Sequence, residues 1–489
     1  MANTLIKITN GVTRHPDYRL ASPLNFELAK GESMAICGPN GGGKSLFVDI
    51  LTGAHPLLGD AMKYDFGTLG NKAANNVRLV TFRDVYGGNE PAYYQQRWNQ
   101  ADEQVFPMVN EVLQQAFNAW QPANHASTDE WPNQELLNDL GIFEHAEKPI
   151  NLLSSGELRR MQLAKMLMSS PQVLIVDNPY IGLDKDARLM LTRVLEKLSK
   201  SITLVLVVSR KQDIPAFINK VVWVENKLVE SPISLQQFLS ECAGNDERND
   251  EMATWALPQI NESVTADGAD VIDFRNIHIQ YGKRTILHNL NWNVKRGEHW
   301  ALMGENGAGK STLLSLVCAD NPQGYACDIR LFGNKRGQGE SIWEIKKHIG
   351  YVSPEIFSTY RRPLPAIDIV ASGMHDTIGL YKRPSATERE QCMEWMEAFG
   401  AAHLAERNYM HLSSGEQRLV LLVRAFVKCP DLLILDEPFH GLDNRYRLRA
   451  QALIDRYMQN PSKTLIMVTH YEEELPQCID HTLKLKKNQ

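Results

Sequence analysis

The sequence predicts an α/β fold that occurs twice along the 489-residue chain. Two glycine-rich loops that end in Lys-Ser lie 266 positions apart (310 − 44 = 266), each between a short apolar run and a leucine-rich segment. In both halves, runs of leucine and β-branched residues, typical of strands buried on both faces, alternate with segments of helical periodicity. We therefore predict two α/β domains in tandem, each with a largely parallel sheet.

The predicted elements follow the same order in each half. Strand-like runs occupy residues 34–37, 173–176 and 203–208 in the first half, and residues 300–303, 432–435 and 464–468 in the second. Residues 157–167 place basic and apolar side chains on opposite faces at helical spacing, which predicts an amphipathic helix. Each glycine-rich loop therefore joins a strand to a helix.

Both loops have the composition and the strand–loop–helix context of a phosphate-binding P-loop. Their glycines let backbone N–H groups surround phosphate oxygens, the lysine adds a positive charge, and the serine hydroxyl can bind Mg²⁺. For either copy alone a structural or degenerate loop is the alternative, which the second copy makes weaker. The predicted nucleotide-binding residues are Gly38, Pro39, Asn40, Gly41, Gly42, Gly43, Lys44 and Ser45, and Gly304, Glu305, Asn306, Gly307, Ala308, Gly309, Lys310, Ser311 and Thr312.

Composition argues against a nucleic-acid-binding, membrane-spanning or secreted protein. The net charge of −6 gives no sign of an overall basic surface for nucleic acid. No apolar run approaches the roughly 20 residues needed to cross a bilayer, and the N-terminus lacks the layout of a secretion signal. Seven scattered cysteines without a Cys-x-x-Cys pair favour buried apolar thiols in a reducing compartment over disulfides or zinc. We expect a cytoplasmic protein.

The domain boundaries are predicted from a change in composition between the halves. Residues 241–251 carry five acidic residues and one basic residue, with few side chains able to build a core. We predict a first domain at 1–230, an acidic, solvated linker at 231–270 and a second domain at 271–489. The alternative for the linker is a short charged helix packed on one half.

Acidic residues end a predicted strand in each half. Asp177 lies 21 residues after Gly156, and Asp436 lies 21 residues after Gly415. Asp436 can bind Mg²⁺ through water, whereas the adjacent Glu437 can orient and polarise an attacking water molecule. Without the P-loops, such a pair would be an ordinary strand end.

The motif Leu-Ser-Ser-Gly-Glu also occurs twice, at the start of a predicted helix. Serine and glycine at a helix start present a hydroxyl and free backbone N–H groups to an anion. Simple N-capping is the alternative, and it is weakened by the matched distance of both copies from the acidic strand. The residues concerned are Ser154, Ser155 and Gly156, and Ser413, Ser414 and Gly415.

These motifs, with Gly-Leu-Asp at 182–184 and 441–443 and with Thr469-His470, together resemble the ATP-binding-cassette (ABC) ATPases. The resemblance covers both halves and nearly the whole chain outside the linker. More narrowly, residues 331–353 and 202–215 resemble the ModF-type tandem ATPases, which are associated with molybdate transport. The family thus implied is a tandem ABC ATPase.

The resemblance implies two P-loop nucleotide-binding domains, each with a RecA-like mixed-sheet core and a helical subdomain. It also implies that the two cassettes pair head to tail, with each ATP between the P-loop of one half and the Leu-Ser-Ser-Gly-Glu of the other. ATP and Mg²⁺ are the expected ligands. The predicted Mg²⁺ ligands are Ser45, Asp177, Ser311 and Asp436.

The two predicted sites are unequal. The second half carries Glu437 and His470, which such enzymes use to position water and to sense the γ-phosphate, whereas the first half has Asn178 and Ser209 at the matching places. An amide cannot take a proton from water, and a serine lacks the reach and charge of an imidazole. We predict that Glu437, His470 and Lys310 carry hydrolysis, and that the first site binds ATP with slow turnover or none.

Three weaker signals lie near these motifs. Tyr281 precedes Lys310 by 29 residues, where the family places an aromatic ring against adenine, and the same offset gives His15 in the first half; structural packing is the alternative for the tyrosine. Glu355 and Arg83 stand where the family has a glutamine that faces the transmembrane partner. Residues 84–135 hold many aromatic side chains and Arg97, which suit either a helical subdomain or stacking on nucleic acid.

Three functions remain open from the sequence. The first is the ATPase subunit of a molybdate-type importer, docked on a permease at the inner membrane face. The second is an ATPase that acts on a cytoplasmic macromolecule such as a ribosome or DNA, although the linker is acidic and no zinc-type cysteine spacing occurs. The third is a regulatory ATP switch without transport.

Overall fold

The computed structural model of the protein describes residues 3–67, 72–82, 106–120, 134–150, 153, 155–181, 183, 185–243, 257–258, 269–282, 284–305, 307–380 and 382–486. The chain divides into two compact units, one holding the described residues up to 243 and the other those from 257 onward. Each unit contains a mostly parallel sheet, an antiparallel sheet and several helices. The predicted α/β class, repeated in tandem, is confirmed.

In the first unit the described strands are β1 (Thr4–Gly11), β2 (Leu24–Ala29), β3 (Ser33–Cys37), β4 (Met62–Tyr64), β5 (Val77–Thr81), β6 (Val173–Asp177), β7 (Thr203–Val208), β8 (Lys220–Glu225), β9 (Leu228–Val229) and β10 (Ile233–Ser234). The helices are α1 (Lys44–Leu51), α2 (Ala73–Asn76), α3 (Val109–Trp120), α4 (Gln134–Asp139), α5 (Ser155–Leu167), α6 (Lys185–Ser199) and α7 (Leu235–Ala243). The strand and the helix that flank the first P-loop are therefore present, as is the strand that ends at Asp177.

The central sheet of the first unit has the order β10-β8-β3-β7-β6-β5. The five strands from β8 to β5 run parallel, and β10 is an antiparallel edge strand. All six residues of β7 are buried, as a strand covered on both faces requires. Because the carboxyl ends of parallel strands share one edge, the residues after β3, β6 and β7 lie on the same side of the sheet.

A second, antiparallel sheet in this unit has the order β2-β1-β4. Its residues Leu5, Ile6 and Phe26 are buried in one apolar cluster with Phe47 of α1. The Phe26 and Phe47 rings meet edge to face at 5.1 Å between centroids. This cluster fixes α1, and with it the end of the P-loop, on the central sheet.

The second unit repeats this architecture. Its strands are β11 (Asp270–Tyr281), β12 (Arg284–Lys295), β13 (His299–Gly304), β14 (Asp328–Leu331), β15 (Asn334–Lys335), β16 (Ile349–Val352), β17 (Leu432–Asp436), β18 (Thr464–Val468) and β19 (His481–Leu485). Its helices are α8 (Lys310–Val317), α9 (Ile342–Lys347), α10 (Pro354–Thr359), α11 (Ala366–Ala371), α12 (Ala386–Ala398), α13 (Ser414–Phe426) and α14 (Asn444–Tyr457).

The parallel sheet of the second unit has the order β16-β17-β18-β13-β19, and the antiparallel sheet has the order β12-β11-β14-β15. Helices α11, α12 and α13 form a helical layer around buried aromatic rings. The ring centroids of Trp395 and Phe399 lie 5.5 Å and 5.1 Å, respectively, from that of Phe426. α12 begins with a capping box between Ser385 and Glu388, which satisfies its first N–H groups. Packing against α11 and α12 holds α13, the helix that begins within the second Leu-Ser-Ser-Gly-Glu motif.

The first unit continues beyond the predicted boundary at residue 230. β10 pairs with β8, and α7 follows it with Phe238 buried against the core and its ring 5.9 Å from that of Trp223. An aromatic side chain buried in this way stabilises the helix on the unit. Residues 231–243, which the sequence analysis placed in the linker, therefore pack on the first unit, whereas residues 244–256 lie outside the described residues.

Two other predictions fall partly outside the described residues. Within the predicted aromatic-rich segment 84–135, the structure describes α3, whose Val109, Leu113 and Ala116 are buried, whereas the Tyr-Trp-Arg cluster at 93–98 and the position of Arg83 lie outside the described residues. Within the described ranges, every helix falls short of the length and apolar character that crossing a bilayer requires.

Candidate nucleotide-binding site

The first P-loop connects β3 to α1 and lies against the neighbouring strand β8. A Cβ atom on Gly38 would stand 2.0 Å from the carbonyl oxygen of Val224, and one on Gly42 would stand 2.7 Å from the same oxygen. The buried Lys44 donates from Nζ to the carbonyl oxygens of Gly38 at 2.6 Å and of Pro39 at 2.8 Å. The loop therefore wraps around the Lys44 side chain, which bonds to its carbonyl oxygens. Only glycine fits at positions 38 and 42, where the backbone of β8 leaves no room for a Cβ atom.

Replacing Gly38 with alanine is expected to lower the free energy of unfolding by about 2–3 kcal/mol, because β8 must move to admit the methyl group. Gly59→Ala is the matched control, since its φ is +61° but no atom lies within 4 Å of the added Cβ; it should cost only about 1 kcal/mol. The midpoint of urea unfolding reports the loss of stability in each of the two variants. Equal midpoints for the two variants would contradict the close contact.

The second P-loop has the same construction between β13 and α8. A Cβ atom on Gly304 would stand 2.6 Å from the carbonyl oxygen of Leu485, and one on Gly309 would stand 3.0 Å from the Ile286 side chain. Lys310 donates from Nζ to the carbonyl oxygens of Gly304 at 2.5 Å and of Glu305 at 3.1 Å. Asn306 lies outside the described residues.

The glycine geometry of both loops suits a bound triphosphate. Gly41 and Gly43 have φ of +72° and +107°, and Gly307 and Gly309 have +81° and +96°. These left-handed positions let successive N–H groups turn toward one point ahead of the helix, where an anion binds. The residues present therefore fit the phosphates of a nucleotide.

The predicted Mg²⁺ ligands also lie where the fold can bring them to a nucleotide. Ser45 and Ser311 each follow the P-loop lysine, and Asp177 and Asp436 end β6 and β17, two strands away from β3 and β13 in their sheets. All four therefore occupy the carboxyl edge of a parallel sheet. Hydroxyl and carboxylate oxygens are the ligands that Mg²⁺ prefers.

Glu437 is held in an unusual backbone conformation at the end of β17. Its φ is +50°, and its N–H donates to the carbonyl oxygen of Val468 at 2.9 Å, which ties it to the end of β18. Residues other than glycine in this region carry strain and concentrate at functional sites. The turn directs the carboxylate to the same sheet edge as the P-loop that follows β13.

Two histidines contact the Glu437 carboxylate. Oε2 lies 2.7 Å from Nδ1 of His440, and Oε1 lies 3.2 Å from Nε2 of His470. Burial alone would raise the pKa of this carboxyl group, but the contacts with His440 and then His470 outweigh burial and hold the pKa well below its usual range. Glu437 is therefore ionised at neutral pH and can accept a hydrogen bond from water.

The matching turn of the first unit has the same backbone conformation but carries an amide in place of the carboxylate. Asn178 has φ of +49°, and its N–H donates to the carbonyl oxygen of Val207 at 2.8 Å. Its amide Nδ2 donates to Oδ1 of Asp177 at 2.8 Å. Ser209 follows β7 as His470 follows β18. The site residues of the two units thus share their placement and differ in chemistry.

The sequence analysis missed His440, which lies within the Pro-Phe-His-Gly-Leu-Asp segment after Glu437. Its ring is 1% exposed and contacts the carboxylate directly. A signal was present: the corresponding residue of the first half, Ile181, differs from it just as Asn178 and Ser209 differ from Glu437 and His470.

The second Leu-Ser-Ser-Gly-Glu motif forms the start of α13. The Ser413 hydroxyl accepts a hydrogen bond from the Glu416 N–H at 3.3 Å, and the Glu416 carboxylate accepts one from the Ser413 N–H at 2.7 Å. Ser413 therefore caps its own helix, as the alternative explanation held, and the N–H groups of Ser414 and Gly415 follow at the helix start. In the first unit α5 begins at Ser155 and continues through Gly156, and Ser154 lies outside the described residues.

Tyr281, the predicted adenine-contacting residue, and His15, at the same offset in the first half, have different surroundings. Tyr281 ends β11, and its hydroxyl accepts a hydrogen bond from Nδ2 of Asn321 at 2.9 Å. In the first unit the ring of His15 lies 5.2 Å from Tyr18, which stacks on His55 at 4.0 Å between centroids. Tyr18, which the sequence analysis did not single out, places an aromatic ring between His15 and His55.

Comparison with known proteins agrees with this geometry. The family model described as "ABC transporter" matches residues 21–181 and 287–440. The chain is 33% identical over 487 residues to the ABC transporter ATP-binding protein ModF of Escherichia coli (strain K12), covering 98% of this chain and 96% of that protein. It is 29% identical to an uncharacterised ABC transporter ATP-binding protein of Schizosaccharomyces pombe (strain 972 / ATCC 24843), covering 98% of this chain and 97% of that one.

Solved structures share the doubled fold. The archaeal ribosome recycling factor aABCE1, in its complex with ribosomal stalk protein aP1, superposes with a TM-score of 0.52 at 19% identity, covering 97% of this chain and 87% of that one. The resemblance predicted from the motifs is confirmed by the two family matches and by the full-length likeness to ModF. The chain therefore belongs to the ABC transporter family, as a tandem ABC ATPase that binds and hydrolyses ATP.

Proposed function

We propose that ATP is hydrolysed at one of two composite sites, with Glu437 as the residue that orients and polarises the attacking water. The observation that carries the proposal is the buried Glu437 carboxylate between His440 and His470, where the first unit has the amide of Asn178. A carboxylate can accept a proton from water and an amide cannot. The first site would then bind ATP and hold it.

The ligands proposed for the hydrolytic site come from both halves. Gly304 to Thr312 would bind the phosphates, Lys310 would neutralise their charge, and Ser311 and Asp436 would hold Mg²⁺, which supplies positive charge beside the phosphate oxygens when bound. The family resemblance supports a head-to-tail pairing in which Ser154, Ser155 and Gly156 complete this site. Lys44, Ser45 and Asp177 would form the other site with Ser413, Ser414 and Gly415.

The partner proposed first is an integral-membrane permease at the inner membrane face, with molybdate or a related anion as cargo. Full-length similarity to a protein named as the ABC transporter ATP-binding protein ModF supports this choice. The chain itself would remain in the cytoplasm and dock on the membrane surface. Recognition of the anion would belong to the partner, since the motifs above all serve the nucleotide.

A second candidate is an ATPase that acts on a ribosome or DNA. It is favoured by the residues at the two positions where transporter cassettes carry glutamine, which are Arg83 and Glu355 here. A single chain also carries both cassettes, so the ATPase needs no second subunit. The fold shared with the ribosome recycling factor is compatible with this candidate at the level of architecture alone.

The partner can be identified with the chain trapped in its ATP-bound state. The variant Glu437→Gln, incubated with Mg²⁺ and ATP, is passed through a detergent extract of membranes and, separately, through a ribosome and DNA fraction. The control is Lys44→Ala combined with Lys310→Ala, which removes the cation from both P-loops. Recovery of a permease by the trapped chain alone is the expected result. Recovery of ribosomes or DNA without a permease would reject the transport role.

A further inference from the structure

His440 occupies a place that the roles above do not explain. Three residues after Glu437, its ring is 1% exposed, and its Nδ1 lies 2.7 Å from Oε2 of the carboxylate. At this distance an imidazole that carries its proton on Nδ1 donates a hydrogen bond to the carboxylate oxygen. The other carboxylate oxygen faces His470 at 3.2 Å. The carboxylate is thus held between two imidazoles, one on each oxygen.

The backbone of His440 is held as well. Nη1 of Arg418, on α13, donates to the His440 carbonyl oxygen at 3.0 Å, and the ring of Tyr471 meets the His440 ring edge to face at 6.1 Å between centroids. Arg418 in turn lies over the ring of Phe357 at 4.3 Å. Helix α13 therefore holds the backbone of His440, and the residue after His470 packs against its imidazole. Such supporting contacts determine how closely a functional group keeps its direction.

The first unit provides an internal comparison. Its turn has the same left-handed backbone at Asn178, yet Ile181 stands where the second unit has His440. A hydrocarbon side chain cannot donate to a carboxylate, and this unit has no carboxylate at residue 178 to receive a hydrogen bond. The histidine thus occurs with the glutamate, in the unit that carries the ionised group.

We propose that His440 is a positioning residue for ATP hydrolysis, which donates a hydrogen bond from Nδ1 to Glu437 and fixes the direction in which the carboxylate meets the attacking water. The proposal rests on the proposed function, because it requires Glu437 to act on that water. His440 contacts the carboxylate and acts through it. Loss of the bond leaves the carboxylate in contact with His470 through one oxygen only, so that it can turn, and this lowers the fraction of bound ATP that meets a correctly directed carboxylate.

The decisive comparison is between His440→Ile, which copies the first unit, and His440→Asn, whose amide nitrogen takes the place of Nδ1. His440→Ile is expected to lower kcat by about 10–100-fold, the usual effect of removing a supporting contact, with KM for ATP changed less than about threefold. His440→Asn keeps the donor and is expected to retain kcat within about fivefold. Ile181→His is the matched control in the first unit and should leave turnover unchanged.

Thermal unfolding and binding of a fluorescent ATP analogue are measured for each variant, so that a folding defect is separated from a positioning defect. If His440→Ile does not fold, His440→Asn decides: kcat near the wild-type value supports the proposal, and kcat as low as that of Glu437→Gln overturns it. A His440→Ile variant with wild-type kcat also overturns it. A turnover change in Ile181→His would overturn it too, since no carboxylate is present there. Failure of the proposed function looks different, because Glu437→Gln would then keep its ATPase activity.

Discussion

Replacing Glu437 with glutamine is expected to lower steady-state ATP hydrolysis of the whole chain by at least about 100-fold. The amide keeps the size and the buried position of the carboxylate, but it cannot accept a proton from water. Its contacts with His440 and His470 also lose the negative charge that draws both imidazoles to it. ATP binding should persist, because Gly304 to Ser311 are untouched. Phosphate release measured at saturating ATP, together with a filter-binding assay, tests both parts.

The control for this variant lies at the matching position of the first unit. Asn178→Ala removes the amide that donates to Asp177 and leaves the P-loop intact. We expect its turnover to stay within about threefold of the wild type, because Asn178 cannot serve as a base. Full activity in Glu437→Gln, or loss of activity in Asn178→Ala, would contradict the unequal sites.

The difference between Glu437 and Asn178 also bears on the expected cycle of ATP hydrolysis. If both proposed sites hydrolysed ATP, each cycle of hydrolysis could open both of the proposed ATP-binding interfaces. With a carboxylate in one site and an amide in the other, the first site would stay closed over its nucleotide while the second cycles. This division is a proposal from side-chain chemistry, since the backbone turns at Asn178 and Glu437 are alike.

The sequence was sufficient to predict much of the fold and the placement of the motifs. Both P-loops were identified because their glycines and lysine are local in sequence, and local patterns determine a strand–loop–helix turn. The strands ending at Asp177 and Asp436 were equally clear, because continuous apolar runs are typical of strands buried on both faces. Such features need no knowledge of distant partners.

The parts that were missed depend on contacts between distant segments. The helix Leu235–Ala243 was assigned to the linker because it adjoins the acidic stretch 241–251, and the burial of Phe238 against the first unit shows that it packs there. His440 was missed because a histidine near Gly-Leu-Asp is unremarkable until its ring meets Glu437. Comparison of the two halves, position by position, contained the clue in Ile181.

Substituting Gly156 with aspartate is expected to lower ATP hydrolysis by at least about 100-fold, although Gly156 belongs to the unit that lacks the base. In the proposed head-to-tail pairing, the start of α5 faces the triphosphate bound by Lys310, and a carboxylate there would repel the phosphate charge. The fold should tolerate the change, since the nearest atom to an added Cβ is Cβ of Ala187 at 3.7 Å, an ordinary contact distance.

Gly156→Ala is the matched control, because it adds the same Cβ without charge and suits a helix better than glycine does. We expect it to hydrolyse ATP within about threefold of the wild type, with an unchanged unfolding midpoint. Gly156 and Glu437 lie 281 residues apart (437 − 156 = 281) in separate units. In the proposed pairing, the nucleotide that both units bind gives the aspartate its route to the hydrolytic site. Wild-type turnover in a folded Gly156→Asp variant would mean that the second site is completed by other residues.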